Sequence, residues 1–238
     1  MDARELSDVT VGVVGLGLMG CSITTCLVIA GHTVIAVAPV STDMQHARRR
    51  IQDHLSRSQR EGLIDETPEH YLKTLTITED YSLLKDCKIV IECTLENVDI
   101  KKAVYNRIES VINNQAILAS NTSAIPISIL QALTQSPGRF FGLHWAEPSH
   151  TTRFLEIICG ELSDVSKAEY LYEISHYWGK EPTLVRKDIR GFISNRLMYA
   201  LYREAFYLVE NGYATVEDVD RACRNNAGYW MTLVGAFR

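Results

Sequence analysis

The segment from Val9 to Ala38 constrains the fold more than any other part of the chain. An apolar run there ends in Gly15-x-Gly17-x-x-Gly20, a helix-like stretch follows, and a second apolar run closes the segment. This order predicts a strand, a phosphate-binding loop, a helix and a second strand. Gly15 permits a sharp turn, Gly17 lets the backbone approach a pyrophosphate, and Gly20 permits close packing of helix on strand. We therefore expect a dinucleotide site at the N-terminus of a helix that begins near Leu18.

The residue that follows the second strand leaves the choice between NAD and NADP open. In an NAD site an Asp or Glu about 20 residues along accepts hydrogen bonds from the adenosine ribose. Here Ala38 ends the strand, and the next carboxylate is Asp43, which we expect inside the following helix. Ser41 and Thr42 are placed to bond a ribose hydroxyl or a 2′-phosphate. These residues therefore predict dinucleotide binding and leave both NAD and NADP open.

The composition fits a soluble globular enzyme. The 238 residues are 46% hydrophobic and 22% charged, with a net charge of −5, which provides no basic surface for nucleic acid. The N-terminus is charged, and no apolar stretch of about 18 residues occurs. We therefore expect a cytoplasmic protein without membrane or nucleic-acid partners. The six cysteines lack CxxC spacing, so neither a metal site nor a disulfide framework is predicted.

Strand-like and helix-like segments alternate, which predicts a Rossmann-type, doubly wound α/β sheet over residues 1–187. Apolar runs typical of buried parallel strands cover 75–78, 88–94, 116–120, 139–144, 153–159 and 182–187, and helical patterns cover 42–61, 98–111, 125–133 and 163–177. From Gly191 the pattern is wholly helical, with a stop signal at Asn211-Gly212. We expect residues 188–238 to be an incomplete all-helical C-terminal domain that pairs with a second copy in a homodimer.

Polar residues follow two of these strands, at the edge where α/β sheets bind ligands. Ser120-Asn121-Thr122-Ser123 ends one strand, His144 ends the next, and Glu156 lies in the strand after that. If the last two strands pair as a hairpin, His144 and Glu156 lie level with each other. A carboxylate that fixes the tautomer of an imidazole makes it a general base. The spacing alone equally fits a solvent-facing glutamate and a structural histidine.

Taken in order, several motifs resemble those of the 3-hydroxyacyl-CoA dehydrogenase family over nearly the whole chain. They are Gly15-Leu-Gly17-Leu18-Met19-Gly20, Glu96-Asn97 with Lys101, Ser120-Asn121-Thr122-Ser123, Gly142-Leu-His144, Leu155-Glu156-Ile157 and Gly191-Phe-Ile-Ser-Asn195-Arg196. The resemblance implies hydride transfer between NAD and a 3-hydroxyacyl-CoA, as in fatty acid metabolism. It also implies that His144 takes the proton of the substrate hydroxyl and that Glu156 orients this base.

The same resemblance assigns the remaining site residues. Ser123 and Asn195 are the implied hydrogen-bonding partners of the substrate oxygens, and Glu96 and Lys101 are implied contacts near the cofactor and acyl-CoA. Leu18, Met19 and Asn121 lie inside the motifs, and we expect them to contact the cofactor together with the three loop glycines.

Three departures from the family pattern keep other functions open. Ala38 replaces the usual acid, the usual Phe-Phe-Asn-Pro after the histidine reads Trp145-Ala146-Glu147-Pro148, and the late Gly-Tyr-Pro-Met-Gly-Pro reads Gly228-Tyr-Trp230-Met-Thr232-Leu233. Glu147 fits a cationic substrate group, a substrate hydroxyl or an ion pair with Arg153. The alternatives are a dehydrogenase of a free small hydroxy acid, such as a carnitine-like or sugar acid, and a non-catalytic nucleotide-binding regulatory protein.

A basic helical face is a candidate for contact with the phosphates of CoA. Helical spacing within 42–61 places Arg50, His54 and Arg57 on one side. Charge runs on helices are commonly solvated faces, so both interpretations stay open.

Overall fold

A single eight-stranded sheet organises the larger of two compact units, which divide after Phe192. The computed structural model describes residue 6 and residues 8–237. The strands are β1 (Val11–Val14), β2 (Val34–Val37), β3 (Leu75–Thr78), β4 (Ile89–Glu92), β5 (Ile117–Ser120), β6 (Phe140–Trp145), β7 (Phe154–Cys159) and β8 (Glu181–Val185). Their order in the sheet is β3-β2-β1-β4-β5-β6-β7-β8.

The pairing of the strands places the ligand-binding edge. All neighbouring strands run parallel except β6 and β7, which are antiparallel. Because β1 lies between β2 and β4, chain connections leave it in opposite directions. In sheets of this type, the carboxyl ends of the strands open a crevice at that point.

Helices cover both faces of the sheet, as the alternating pattern predicts. They are α1 (Leu18–Ile29), α2 (Ser41–Arg60), α3 (Pro68–Leu72), α4 (Val98–Glu109), α5 (Ile127–Gln131) and α6 (Val165–Tyr177). Residues of α1, α2 and α6, including Leu27, Ile51 and Leu171, share one apolar core. Residues of α4 and α5, including Ile108 and Leu130, belong to the second. The predicted doubly wound sheet is confirmed.

The predicted strands and helices are present with ends trimmed or shifted, and a few short elements are additional. The five-residue helix α3 starts with Pro68 in its first turn, and single 3-10 segments cover Tyr81–Asp86 and Pro137–Arg139. Such short elements are too brief to show a helical period, so the sequence pattern did not indicate them.

The smaller unit is helical throughout its regular elements. It contains α7 (Ser194–Glu210), α8 (Val216–Ala222), a π-helical turn (Cys223–Ala227) and α9 (Gly228–Leu233). Helix α7 ends where the stop signal predicts, and Gly212 there has a φ of +69°, a conformation that favours glycine. None of the residues of α7 is buried.

A buried histidine ties the turn after α1 to the end of α6. The Nδ1 atom of His32 lies 3.0 Å from the carbonyl oxygen of Val9, and Trp178 Nε1 donates to His32 Nε2 over 2.8 Å. Since an indole N–H only donates, Nε2 is the acceptor and Nδ1 carries the proton. Burial lowers the pKa of His32 below its ordinary value, although the bond to Val9 opposes this shift.

We predict that His32→Leu destabilises the protein by about 1–3 kcal/mol at neutral pH, because two buried polar groups lose their partner. A histidine with a lowered folded-state pKa contributes stability that is lost as the pH falls below its unfolded pKa. The difference in the free energy of unfolding between wild type and variant, measured by urea unfolding, should therefore become smaller as the pH is lowered. His46→Gln, at an exposed position of α2, is the control. A difference in the free energy of unfolding that grows at acidic pH would contradict the conclusion that His32 is neutral in the folded protein.

Candidate active site

The loop between β1 and α1 has the backbone geometry that its glycines predict. Gly15 has a φ of +99°, and a Cβ atom there would lie 2.8 Å from the carbonyl oxygen of Cys93. A Cβ on Gly20 would lie 1.8 Å from the oxygen of Gly15, so helix and loop contact each other at a distance that only glycine permits. Space above Gly17 is open, since a Cβ there meets no atom of the described residues within 4 Å.

This loop fits a dinucleotide. Within the described residues, no side chain caps α1 at Gly17, and the first turn holds no acidic residue. The amide groups of this turn, which includes Leu18 and Met19, therefore face the open space above Gly17 and carry the positive end of the helix dipole. A pyrophosphate accepts hydrogen bonds from such groups.

The end of β2 carries no carboxylate, as the sequence indicates. Ala38 is 1% exposed, and its amide donates to the carbonyl of Thr78 over 2.8 Å. Helix α2 begins at Ser41 and takes Asp43 into its first turn. The expected ribose edge of the site therefore lacks a carboxylate at Ala38, and the next carboxylate along the chain is Asp43 within the first turn of α2.

His144 and Glu156 form a buried pair across the β6–β7 hairpin. The two residues are directly opposite in the antiparallel register, and His144 Nδ1 lies 2.8 Å from Glu156 Oε2. They are 8% and 1% exposed. The rings of Phe154 and Phe192 lie about the imidazole, with centroids 5.5 and 5.4 Å away. Because a carboxylate only accepts, Nδ1–H donates to Glu156, and Nε2 is the ring atom that can accept a proton. The predicted hairpin and its register are confirmed.

The hairpin loop beside this pair is held from several directions. Buried Lys180 donates to the carbonyls of Ser149 and Thr152, and the amide of Ser149 donates to Ser22 Oγ of α1 over 2.7 Å. At the start of the loop, the Trp145 amide donates to Asn121 Oδ1 over 3.1 Å. These contacts fix the path of the chain from β6 to β7. They also join it to β5 and α1.

Glu147 lies exposed in this loop. Arg153, which the sequence offered as a partner, instead lies 3.6 Å from Glu181. That surface pair leaves Glu147 available to a ligand.

Glu96 links the loops that follow β4 and β5. Its carboxylate accepts from the hydroxyl of Thr122 and from the amides of Ser123 and Ala124, each over 3.1 Å. Partial burial raises the pKa of Glu96, but these hydrogen bonds and nearby Lys101 outweigh it and hold the pKa below its usual range. Glu96 is therefore an anion at neutral pH, and it orders the loop that carries Ser123.

Lys101 points inward. Its side chain is 1% exposed, and its ammonium lies 2.9 Å from Glu92 Oε1 and 3.4 Å from Glu96 Oε2. Glu92 did not emerge from the sequence, because it lies within an apolar run that reads as a buried strand. The only indication of a role for Glu92 in the sequence is its place in an apolar run, because a carboxylate in a buried strand needs a hydrogen-bonding or charged partner.

Most of the predicted site residues lie together at one edge of the sheet. These residues follow β1, β4 or β5, or lie near the end of β6. They are the loop glycines, Glu96, Lys101, Asn121, Ser123 and His144. Asn195 lies in the first turn of α7, in the smaller unit.

The predicted basic face of α2 turns partly inward. His54 Nδ1 lies 3.2 Å from Thr25 Oγ1, and its ring stacks on that of His150 with centroids 4.8 Å apart. Burial, with nearby His54 and other cations, lowers the pKa of His150 to about 4, and burial also lowers the pKa of His54. Arg57 donates to Glu61 over 2.7 Å. Arg50 is exposed.

The described residues contain neither a helix that could span a membrane nor a cluster of metal ligands. No helix in this part of the chain is long and apolar enough to span a membrane. Likewise, across residue 6 and residues 8–237, no group of three or more His, Cys, Asp or Glu side chains is arranged to hold a metal ion. All six cysteines are free thiols.

Comparisons with known proteins identify the family of the chain. Residues 10–189 match the family described as 3-hydroxyacyl-CoA dehydrogenase, NAD binding domain, and residues 191–238 match its C-terminal domain. A Mesorhizobium japonicum protein named 5-formyl-3-hydroxy-2-methylpyridine 4-carboxylate 5-dehydrogenase is 33% identical over 94% of this chain and 72% of its own length. Human mitochondrial hydroxyacyl-coenzyme A dehydrogenase is 32% identical over 96% of this chain and 75% of its own length.

Structural comparison gives the same result. The crystal structure of (S)-3-hydroxybutyryl-CoA dehydrogenase from Ralstonia eutropha superposes with a TM-score of 0.87 at 30% identity, covering 92% of this chain and 77% of that chain.

We predict that Gly17→Val weakens NAD binding by at least about tenfold, because the branched side chain fills the open space above the loop. The fold should persist, since that space holds no described atom within 4 Å of the added Cβ. Fluorescence titration with NAD and thermal unfolding provide the two measurements. Gly138→Ala, where a Cβ meets only an ordinary contact of 3.6 Å, is the control. Wild-type affinity in Gly17→Val would place the cofactor elsewhere.

Proposed function

The chain belongs to the 3-hydroxyacyl-CoA dehydrogenase family, and from that premise we propose that it transfers hydride between NAD and the secondary alcohol of a 3-hydroxyacyl-CoA. The observation that carries the proposal is the 2.8 Å contact between His144 and Glu156. His144 lies near the carboxyl end of β6, at the same edge of the sheet as the proposed phosphate loop after β1. A base and a cofactor loop on one edge are what alcohol oxidation requires.

His144 acts as the general base in this proposal. Its Nε2 atom takes the proton of the substrate hydroxyl, while Glu156 keeps the ring in the correct tautomer and stabilises the imidazolium that forms. The surrounding burial excludes water, which strengthens this charge interaction. In the reverse reaction, the imidazolium returns the proton to the oxygen of a 3-oxoacyl substrate.

Polar groups stabilise the charge that develops on the substrate oxygen. Ser123 is an exposed residue in the loop after β5, on a backbone that Glu96 holds in place. We assign Ser123 and Asn195 as hydrogen-bond donors to that oxygen, following the family resemblance. NAD, when bound by the Gly15–Gly20 loop with Glu96 and Asn121 nearby, supplies the hydride acceptor.

A free hydroxy acid is the second candidate substrate. It is favoured by Glu147, an exposed carboxylate in the loop directly after the base. A carboxylate there suits a cationic or hydroxyl-bearing substrate better than the neutral amide of the usual family motif. The name of the Mesorhizobium japonicum relative, 33% identical to this chain, refers to a free pyridine carboxylate.

The smaller unit supplies a surface for a homodimer in this proposal. Helix α7 exposes large apolar side chains, including Leu197, Tyr199 and Phe206, and burying them against a second copy is favourable. A sedimentation mass of one chain over a wide concentration range would contradict this assignment.

A cofactor-oxidation screen tests the reaction and separates the substrates. Acetoacetyl-CoA and free 3-oxo acids are offered in parallel, each with NADH and with NADPH. We expect turnover of acetoacetyl-CoA with NADH. Because Ala38 leaves the ribose edge uncharged, the preference for NADH should stay below about a thousandfold, or roughly 4 kcal/mol. Turnover of the free acids alone would favour the second candidate, and no turnover of any substrate would contradict the enzymatic proposal.

We predict that His144→Gln lowers turnover by about a hundredfold or more while NAD affinity stays near wild type, because glutamine cannot take the proton. Glu156→Gln should impair the same step. Because the two residues act as one unit, the losses should not add in the double variant. Steady-state kinetics on the substrate found by the screen gives the values. Near-normal turnover in His144→Gln would rule out this base, and additive losses would show that Glu156 acts independently of it.

A further inference from the structure

A fully buried carboxylate lies at the carboxyl end of β4, beneath the candidate site. Glu92 is 0% exposed. Lys101 Nζ lies 2.9 and 3.0 Å from its two oxygens, and the Ser120 hydroxyl donates to it over 2.7 Å. The Tyr105 hydroxyl donates over 3.1 Å, and the Thr94 amide over 2.6 Å. The carboxylate is therefore held by partners from β4, β5 and α4.

Stability alone is a weak explanation for such a group. Burying an ion pair carries a large desolvation cost, and well-packed apolar residues of similar volume often stabilise a protein as well or better. A buried charge with many partners does, however, fix the positions of those partners closely. A partner that moves away loses a hydrogen bond that is strong in the low-dielectric interior. The location of the partners is therefore informative.

The partners of Glu92 continue directly into the site. Lys101 bridges from Glu92 to Glu96 at 3.4 Å, and Glu96 in turn accepts from the amides of Ser123 and Ala124. On the β5 side, Ser120 is the first residue of the Ser120–Ser123 segment. Glu92 thus holds the loop after β4 through Lys101, and the loop after β5 through Ser120.

We propose that Glu92 is a positioning residue that sets the relative placement of Glu96 and Ser123. The inference rests on the proposed function, in which Glu96 lies against the cofactor and Ser123 against the substrate oxygen. Glu92 itself is sealed from solvent and acts through its hydrogen-bonding partners, chiefly Lys101 and Ser120. Loss of its charge should therefore release Lys101 and loosen both loops without touching the His144–Glu156 pair.

A second buried glutamate provides a matched control. Glu109 is 8% exposed, lies 3.5 Å from Arg139 and accepts from the amides of Gln135 and Ser136. Like Glu92, Glu109 is a buried carboxylate that holds neighbouring segments of the chain through an ion pair and hydrogen bonds. However, its partners lie near the start of β6, whereas the site residues follow the ends of the strands.

The test compares Glu92→Gln with Glu109→Gln in the full chain, using NAD as the probe. Both variants should lower the thermal unfolding midpoint. At a temperature where both are folded, Glu92→Gln should weaken NAD binding by about tenfold and lower kcat as well, while Glu109→Gln keeps wild-type affinity and kcat. Equal weakening of NAD binding in both variants, or affinity within about twofold of wild type in Glu92→Gln, would overturn the proposal.

If Glu92→Gln does not fold, a milder variant tests the positioning role of Glu92. Ser120→Ala removes the 2.7 Å hydrogen bond and leaves the ion pair with Lys101 intact. It should weaken NAD binding by about threefold, and unchanged affinity would overturn the proposal. NAD titration needs no substrate. A protein that binds NAD but turns over no hydroxyacyl substrate therefore contradicts the proposed function and leaves the role of Glu92 standing.

Discussion

The carboxyl ends of the parallel strands meet at one edge of the sheet, and the rest of the site depends on this constraint. Residues as distant in sequence as Gly15 and His144 reach the same edge because β1, β4, β5 and β6 run side by side in one direction. The antiparallel turn from β6 into β7 then brings Glu156 back to the level of His144. The glycine loop and the proposed base are thus placed by backbone pairing, before any side chain contributes to binding.

The parts of the fold and site that depend on local backbone conformation could be predicted from the sequence. The glycine loop depends on backbone conformation and close approach, which only glycine allows, so Gly15 and Gly20 could be assigned from their spacing. The pairing of His144 with Glu156 follows from the two-residue period of strands and the length of the loop between them. The helix stop at Gly212 has an equally local cause in its positive φ.

Features that depend on distant contacts were not predictable in the same way. Lys101 is a polar residue on a helix, and its inward orientation depends on Glu92, which reads as part of an apolar strand. The hairpin loop is held by Lys180, a residue from a later element that no spacing rule connects to it. His54 was grouped with a basic face, but it stacks on His150 in the half-buried space between α1, α2 and that loop. In each case a charge or ring was placed by tertiary packing, which local patterns do not encode.

Isotope transfer tests the central claim, that the base and the cofactor loop meet at this edge to oxidise a secondary alcohol. The enzyme is incubated with NAD and 3-hydroxybutyryl-CoA that carries deuterium on the carbon bearing the hydroxyl, and the nicotinamide product is examined by mass spectrometry. We expect the label to appear in the reduced nicotinamide with wild-type protein and to be nearly absent with His144→Gln. Label that stays on the substrate with wild type, under conditions where NAD is bound, would contradict it for this class of substrate.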